Sequence, residues 1–157
     1  MVTLYNDYGL IRIFWGIGMA IEIREMTLQD YDACLALWSG MEGLGLSHAD
    51  EMLYLMFFLE RNLHLSFVAL AEQRLVGTVL CGHDGRRGFI YHLAVDPDFR
   101  RQGIATQMLD RCVDGLKEVG IEKCHVMVYK ENESGLAFWR RAGWLDRPEL
   151  VILSKMF

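Results

Sequence analysis

Basic charge is in short supply in this chain, whose 157 residues carry 16 Lys and Arg against 21 Asp and Glu, a formal net charge of −5. A nucleic-acid backbone needs a basic surface to displace its counterions, so nucleic acid is not an expected partner. The mildly acidic balance favours cationic ligands such as amines. Metal-ligand patterns are missing too. Cys34, Cys81, Cys112 and Cys124 form no C-x-x-C pair and stand at no ligand spacing from a histidine, so no metal is expected. The four thiols read as small buried hydrophobes of a reduced, cytoplasmic protein, Cys34 and Cys112 on apolar helix faces and Cys81 and Cys124 in strands. Long apolar runs are also lacking. Residues 1–18, MVTLYNDYGLIRIFWGIG, are apolar and aromatic but interrupted by Asp7 and Arg12. The run is too short to span a bilayer, and no basic n-region or cleavage site makes it a signal peptide, so no membrane is expected. It is expected to be an N-terminal extension, with residues 19–157 forming a single domain. The chain shows no repeat, low-complexity tract or linker. Its apolar fraction of 52% suffices for one continuous core.

Periodicity outlines that core. Alternation at Ile21, Ile23 and Arg24 predicts a strand. Thr27 with Asp30 resembles a helix cap, and Leu28, Tyr31, Leu35 and Trp38 predict one buried stripe on a helix ending near Ser39. Ser47 can cap a second helix, with Asp50 and Glu51 suited to its positive end. That helix, MLYLMFFLE, is apolar nearly all round, and burial in the core is the default expectation. A hairpin follows from His64 to Gly82, broken at Gln73-Arg74, and Gly88 to Val95 predicts a third strand after an Asp-Gly turn. Ile104, Met108, Leu109, Cys112 and Leu116 then share one face of a helix stopped by Gly120. Residues 121–129 predict a strand, Asn132 to Arg141 a short helix, and Leu150 to Met156 a last strand. The order implies a mixed α/β (α+β) sheet, an antiparallel meander joined to a parallel crossover and flanked by helices.

The stretch V-D-P-D-F-R-R-Q-G-I-A-T, from Val95 to Thr106, lies between a strand and the best-patterned helix. Gly103 permits close backbone approach, and the N–H groups of Arg101, Gly103, Ile104, Ala105 and Thr106 at a helix start make an anion site that suits a pyrophosphate. A dinucleotide fold is disfavoured, because G-x-G-x-x-G is absent and the preceding strand follows two hairpin strands.

This stretch resembles the acetyl-CoA signature of the GNAT superfamily, R/Q-x-x-G-x-G/A, through Arg100, Gly103 and Ala105. Downstream, N-E-S-G-L-A-F-W-R-R-A-G-W resembles that family's N-x-x-A-x-x-x-Y-x-x-x-G-F through Asn132, Trp139, Gly143 and Trp144. The chain looks nearest to the ribosomal-protein alanine acetyltransferase branch and the small bacterial acetyltransferases beside it. The resemblance implies the GNAT acyl-CoA N-acyltransferase fold and an N-acetyltransferase that moves an acetyl group from acetyl-CoA to a primary amine by direct ternary-complex transfer. Leu93, Ala94 and Val95 would meet the pantetheine arm, Arg100, Arg101, Gly103, Ile104, Ala105 and Thr106 the diphosphate, and Asn132 and Trp139 would complete the cofactor site.

In the ribosomal-protein branch the base is a glutamate five residues before the motif asparagine, and the acid a tyrosine seven residues after it. Met127 and Trp139 stand there, and neither can transfer a proton. Candidate replacements are Tyr91 and His92 on the strand before the cofactor loop, and His125 and Tyr129 on the next. Alternation puts Tyr91 on one face with Leu93, and His125 and Tyr129 on one face with Met127, which favours the two tyrosines by position. His92 is favoured by intrinsic pKa. The expected mechanism uses water relayed by Tyr91 or His92, with an oxyanion held by a backbone N–H at the end of the Gly88 to Val95 strand. The amine, on a small molecule or peptide, is expected between the first two helices and the sheet, near Leu44, Met52, Tyr54 and Met56. The apolar second helix could instead join a homodimer. The alternative function is a non-catalytic acyl-CoA-binding or sensor domain.

Overall fold

The computed structural model describes residues 3–5, 11–13 and 20–157, the first two stretches as backbone only. Seven strands make one sheet in chain order: β1 (Thr3–Tyr5), β2 (Ile11–Ile13), β3 (Ile21–Glu25), β4 (Phe67–Ala71), β5 (Arg74–His83), β6 (Gly88–Val95) and β7 (Cys124–Val126). Neighbours are antiparallel except β6 and β7, which run parallel. Four helices accompany them, α1 (Tyr31–Ser39), α2 (Met52–Arg61), α3 (Ile104–Glu118) and α4 (Glu133–Arg141). The parallel pair is joined through α3, so the sheet is the meander with one crossover that the sequence predicts. β1 and β2 fall within residues 1–18, the rest of which lie outside the described residues, and they continue the meander outward from β3.

The chain divides into two compact units, Met1–Met127 and Val128–Phe157. In the first, α1 begins where a capping box closes over the turn Leu28–Asp30: the Thr27 N–H and hydroxyl donate to Asp30 at 2.9 and 3.1 Å, and Arg24 grips the same carboxylate at 2.7 and 2.8 Å. Cys34 and Trp38 are its buried residues, while Tyr31 and Leu35 are half-covered. On the opposite face of the sheet, α3 buries Ile104, Met108, Leu109, Cys112 and Leu116, the predicted stripe. Each large side chain of that set stabilises the fold by about 1.5–3 kcal/mol. Gly88 makes the approach possible, because a Cβ there would sit 2.6 Å from Leu116.

Five expectations need correction, four of them in the first unit and the last in the second. The hairpin turn is Glu72–Gln73 rather than Gln73–Arg74. Both its residues take positive φ, 47° and 71°, as a two-residue turn matched to strand twist requires, and Arg74 already pairs with Ala71. The second helix is not core: only Leu55 is buried, while Met52, Leu53, Tyr54 and Phe57 are exposed. An all-round apolar helix reads as buried, but α2 meets the sheet along one side only. The predicted strand 121–129 is cut to Cys124–Val126, so Tyr129 is not on a strand with His125. Finally, β6 does not alternate regularly. Leu80 pairs with Tyr91 but Thr78 with Ala94, so β6 carries an extra residue at His92–Leu93, and Tyr91 does not share a face with Leu93 by simple alternation.

The second unit is α4 and its flanks. Asn132 caps α4, its side-chain oxygen accepting from the Gly135 N–H at 2.9 Å and the Ser134 hydroxyl at 3.2 Å. Trp139 is buried, its ring edge-on to those of Phe138 and Trp144. Arg140 pairs with Asp146 at 2.9 Å. The expected last strand, Leu150 to Met156, does not form: the segment is exposed, and this unit contains no strand among the described residues with which to build a ladder.

Candidate active site

Two features of the first unit meet at the end of β6. The parallel ladder runs from Gly88–Cys124 to Ile90–Val126 and stops there. Beyond it, Tyr91 to Val95 have no strand on that side among the described residues, so part of the backbone polar edge of Leu93, Ala94 and Val95 is open to a ligand. The chain then turns through Pro97–Phe99 into α3. Arg101 and Gly103 both adopt left-handed backbone, φ 61° and 78°, and this reversal delivers the first turn of α3 next to the open strand end. The first helical hydrogen bond is the Gln107 N–H to the Gly103 carbonyl, 3.1 Å. Helix geometry therefore leaves the N–H groups of Ile104, Ala105 and Thr106 without intrahelical partners at a positive dipole end. Arg100 braces the turn, its Nε donating to the Val95 carbonyl at 3.0 Å and its Nη2 approaching Met41 Sδ at 3.4 Å.

The extra residue in β6 builds the other half of the site. His92 takes φ 48°, a left-handed conformation that costs a non-glycine residue about 1–2 kcal/mol. Three ties hold it there. Its carbonyl accepts from the Thr78 hydroxyl at 2.9 Å, and that hydroxyl accepts from the Trp38 indole N–H at 2.9 Å. Its ring stands edge-on to Trp38, centroids 4.6 Å apart. Its Nε2 lies 2.6 Å from Asp50 Oδ1, a residue 42 positions away, with the two side chains 13% and 14% exposed. Tyr91 pairs with the core residue Leu80 and packs against Phe58 of α2 and Phe89, so Tyr91 and His92 both serve the α1–α2 side of the sheet. Burial, with a smaller contribution from nearby Cys124, pushes the Tyr91 phenol above its usual pKa, so the hydroxyl stays protonated and suits a donor rather than a base.

The expected site residues thus separate. Tyr91, His92, Leu93, Ala94 and Val95 lie along the end of β6, and Arg100, Arg101, Gly103, Ile104, Ala105 and Thr106 lie on the turn and first helical turn that follow. Tyr129, Asn132 and Trp139 belong to the second unit. Met127 and Tyr129 are exposed, and His125 sits on β7 with its ring 5.7 Å from that of Phe89. Asp50, Thr78 and Trp38 were not among the expected site residues. Asp50 carries only a capping signal in the sequence, and no local pattern connects it to His92. Cys34, Cys112 and Cys124 are poor nucleophiles: burial raises Cys34 and Cys124 to about 12, and Cys112 is raised by a hydrogen bond with the Cys81 thiol and by burial. Among the described residues no group of three His, Cys, Asp or Glu side chains could hold a metal, and no helix is long and apolar enough to cross a membrane.

The first unit thus sets an open strand end beside an exposed helix start, with titratable groups at the same strand end. Comparison with known proteins identifies the family. The model of the acetyltransferase (GNAT) family matches residues 26–144. A curated acetyltransferase of Pectobacterium atrosepticum is 34% identical over 139 residues, covering 86% of this chain and 94% of that protein. The chain belongs to the GNAT acetyltransferase family. Two of the solved structures that share its fold illustrate the likeness. One is a predicted acetyltransferase of Clostridium acetobutylicum with acetyl-CoA, with a TM-score of 0.69 and 22% identity, covering 85% of this chain and 96% of that one. The other is an aminoglycoside acetyltransferase from an uncultured soil metagenomic sample in complex with sisomicin, with a TM-score of 0.69 and 22% identity, covering 87% and 96%.

Proposed function

We propose that this acetyltransferase moves the acetyl group of acetyl-CoA to a primary amine of a small molecule or peptide within a ternary complex. The observation that carries the reading is the end of the β6–β7 ladder at Ile90–Val126, which frees the Leu93–Val95 edge beside the α3 start. A pantetheine arm, itself an amide chain, can pair with that edge as a further strand would. The N–H groups of Arg101, Gly103, Ile104, Ala105 and Thr106, with Arg100 nearby, suit the diphosphate. Asn132 and Trp139 are assigned to the same cofactor by motif.

Amine acetylation then needs a base for the ammonium, a donor for the tetrahedral oxyanion and an acid for the leaving thiolate. His92 is assigned as the base, a backbone N–H at the end of β6 as the oxyanion donor, and Tyr91 as the acid, in keeping with its raised phenol pKa. The amine is assigned to the α1–α2 side, where the exposed Met52 and Tyr54 and the half-covered Leu44 and Met56 offer an apolar lining. Residues 19–157 are assigned as the catalytic domain, and a chain beginning at Met19 is expected to retain coenzyme A binding.

Incubating the protein with acetyl-CoA and a panel of peptide N-termini, polyamines and amino acids, while following thiol release, tests the reaction. At least one amine is expected to accelerate release. Calorimetry with coenzyme A tests the cradle, and absence of binding would end the assignment.

A further inference from the structure

The carboxylate of Asp50 does more than cap a helix. In the turn His48–Asp50 it occupies the third position of a capping box, where its Oδ2 accepts from the Ser47 N–H at 2.7 Å and the Ser47 hydroxyl at 3.3 Å. That use satisfies one oxygen. The other, Oδ1, lies 2.6 Å from His92 Nε2, and both side chains are nearly covered. An ionised carboxylate only accepts hydrogen bonds, so a bond of this length places the imidazole proton on Nε2. In the neutral ring Nδ1 is then a bare acceptor, and among the described residues it makes no hydrogen bond. The Trp38 ring and the Thr78–His92 carbonyl bond fix the ring's position.

We infer that Asp50 is a positioning residue of the acetyl transfer: it holds His92 with the proton on Nε2, so that Nδ1 accepts the proton shed by the incoming ammonium. The inference rests on the acetyl-transfer reading above. One ammonium proton passes to His92 Nδ1, and the freed nitrogen lone pair forms the bond to the thioester carbonyl carbon. The C–S bond breaks as the tetrahedral intermediate collapses, its electron pair leaving on sulfur. A second proton then leaves the nitrogen, and one reaches the sulfur through the Tyr91 hydroxyl. The imidazolium, whose charge faces the Asp50 carboxylate meanwhile, returns its proton to solvent. An ammonium and a thioester have become an amide, a thiol and one free proton.

The groups that face His92 are few. Its ring meets Asp50 from the capping turn and the uncharged Trp38 from α1. His48 and Glu51 flank Asp50 but are paired to one another at 2.6 Å, and Tyr54 of α2 bonds His48 rather than His92. Tyr91 is its neighbour on β6. From α1, Tyr31 and Cys34 belong to the adjoining core. Arg100, on the turn after β6, is engaged by the Val95 carbonyl and Met41. Asp50 is therefore the only one of these charged groups in contact with the imidazole.

The test reads His92 directly. Long-range proton–nitrogen NMR of the full chain reports which ring nitrogen carries hydrogen, and a wild-type ring protonated on Nδ1 rather than Nε2 overturns the inference without any variant. In Asp50→Asn the side-chain amide no longer obliges Nε2 to carry the hydrogen, and the ring is expected to populate both tautomers. Ser47→Ala weakens the cap while sparing the carboxylate and is expected to leave the Nε2–H tautomer in place. With the fastest amine of the panel, kcat should fall in Asp50→Asn along with the Nε2–H fraction, and His92→Gln should lower kcat by about 10²–10⁴-fold. An unchanged tautomer in Asp50→Asn, or a Ser47→Ala variant that reproduces its loss of rate, reduces Asp50 to a cap and overturns the assignment. Coenzyme A calorimetry on the same samples separates that outcome from failure of the acetyl-transfer reading, in which wild type would not bind.

Discussion

Replacing Thr78 by valine keeps the side chain's shape and removes its hydroxyl, the group that links the Trp38 indole to the His92 carbonyl. Thr78 is fully buried, donates to His92 at 2.9 Å and accepts from Trp38 at 2.9 Å. Losing it strands a buried N–H and leaves a carbonyl with one partner fewer. A stranded buried polar group costs about 1–3 kcal/mol, so Thr78→Val is expected to destabilise by about 3 kcal/mol in all. For a chain of this size that lowers the melting temperature by about 6–12 °C, at about 2–4 °C per kcal/mol. Thr78→Ser keeps the hydroxyl and sheds a methyl, costing about 1 kcal/mol. The decisive measurement is a double-mutant cycle by urea unfolding. In a Trp38→Phe background no indole N–H remains to be stranded, so Thr78→Val should cost about 1–2 kcal/mol less than in wild type, beyond the roughly 0.3–0.5 kcal/mol scatter of additive pairs. Additive costs, or a Thr78→Val protein as stable as wild type, would refute the claim that this hydroxyl holds the left-handed His92.

Three further outcomes are expected. Gly103→Ala should lose about 1–2 kcal/mol, because φ 78° disfavours any Cβ. The new methyl would meet only Gln107 at an ordinary 3.5 Å, so the fold should survive while coenzyme A affinity drops, and unchanged calorimetric affinity would remove Gly103 from the cradle. Burial alone would raise the Asp30 carboxyl, but Arg24 and the Thr27 N–H and hydroxyl outweigh it and hold its pKa below the ordinary value of 3.8. The stability this contributes is complete above that value and is lost as pH falls through the lower folded value. Urea unfolding of Asp30→Asn should accordingly show less acid sensitivity below about pH 4 than wild type. With Cys34 and Cys124 near 12 and Cys112 also raised, a disulfide reagent at neutral pH should react slowly with native protein and promptly with all four thiols after denaturation. Fast labelling of the folded protein would contradict that burial.

What could be read from the sequence is what depends on neighbours in the chain. The α3 stripe from Ile104 to Leu116, the Thr27–Asp30 box and the Asp-Gly reversal before β6 are set by spacings of a few residues. The features that escaped depend on distant partners. Leu150 to Met156 has the composition of a strand, but a strand exists only where another offers its edge. The apolar pattern of α2 says nothing of which side the sheet covers, so burial could be set against a partner- or ligand-facing surface but the exposed set Met52, Leu53 and Phe57 could not be picked out. The extra residue in β6 has no glycine or proline to announce it: it follows from the register of Thr78 with Ala94 and Leu80 with Tyr91, and is held by a hydroxyl on the adjacent strand.

The candidate site divides along the same line. The cofactor turn is local, a glycine and exposed amides at the start of a helix, and so carries a motif. The proton-transfer couple is not local. His92 could be singled out because its intrinsic pKa suits a base, whereas Asp50 already had a sufficient role as the acid of a capping box. A carboxylate, however, has two oxygens, and the Ser47 contacts use one. The second has been drawn out of water beside a ring nitrogen 2.6 Å away. A cap alone would be served equally well by an exposed carboxylate, as most are, so the burial of this one is explained by the imidazole it faces rather than by the helix it begins.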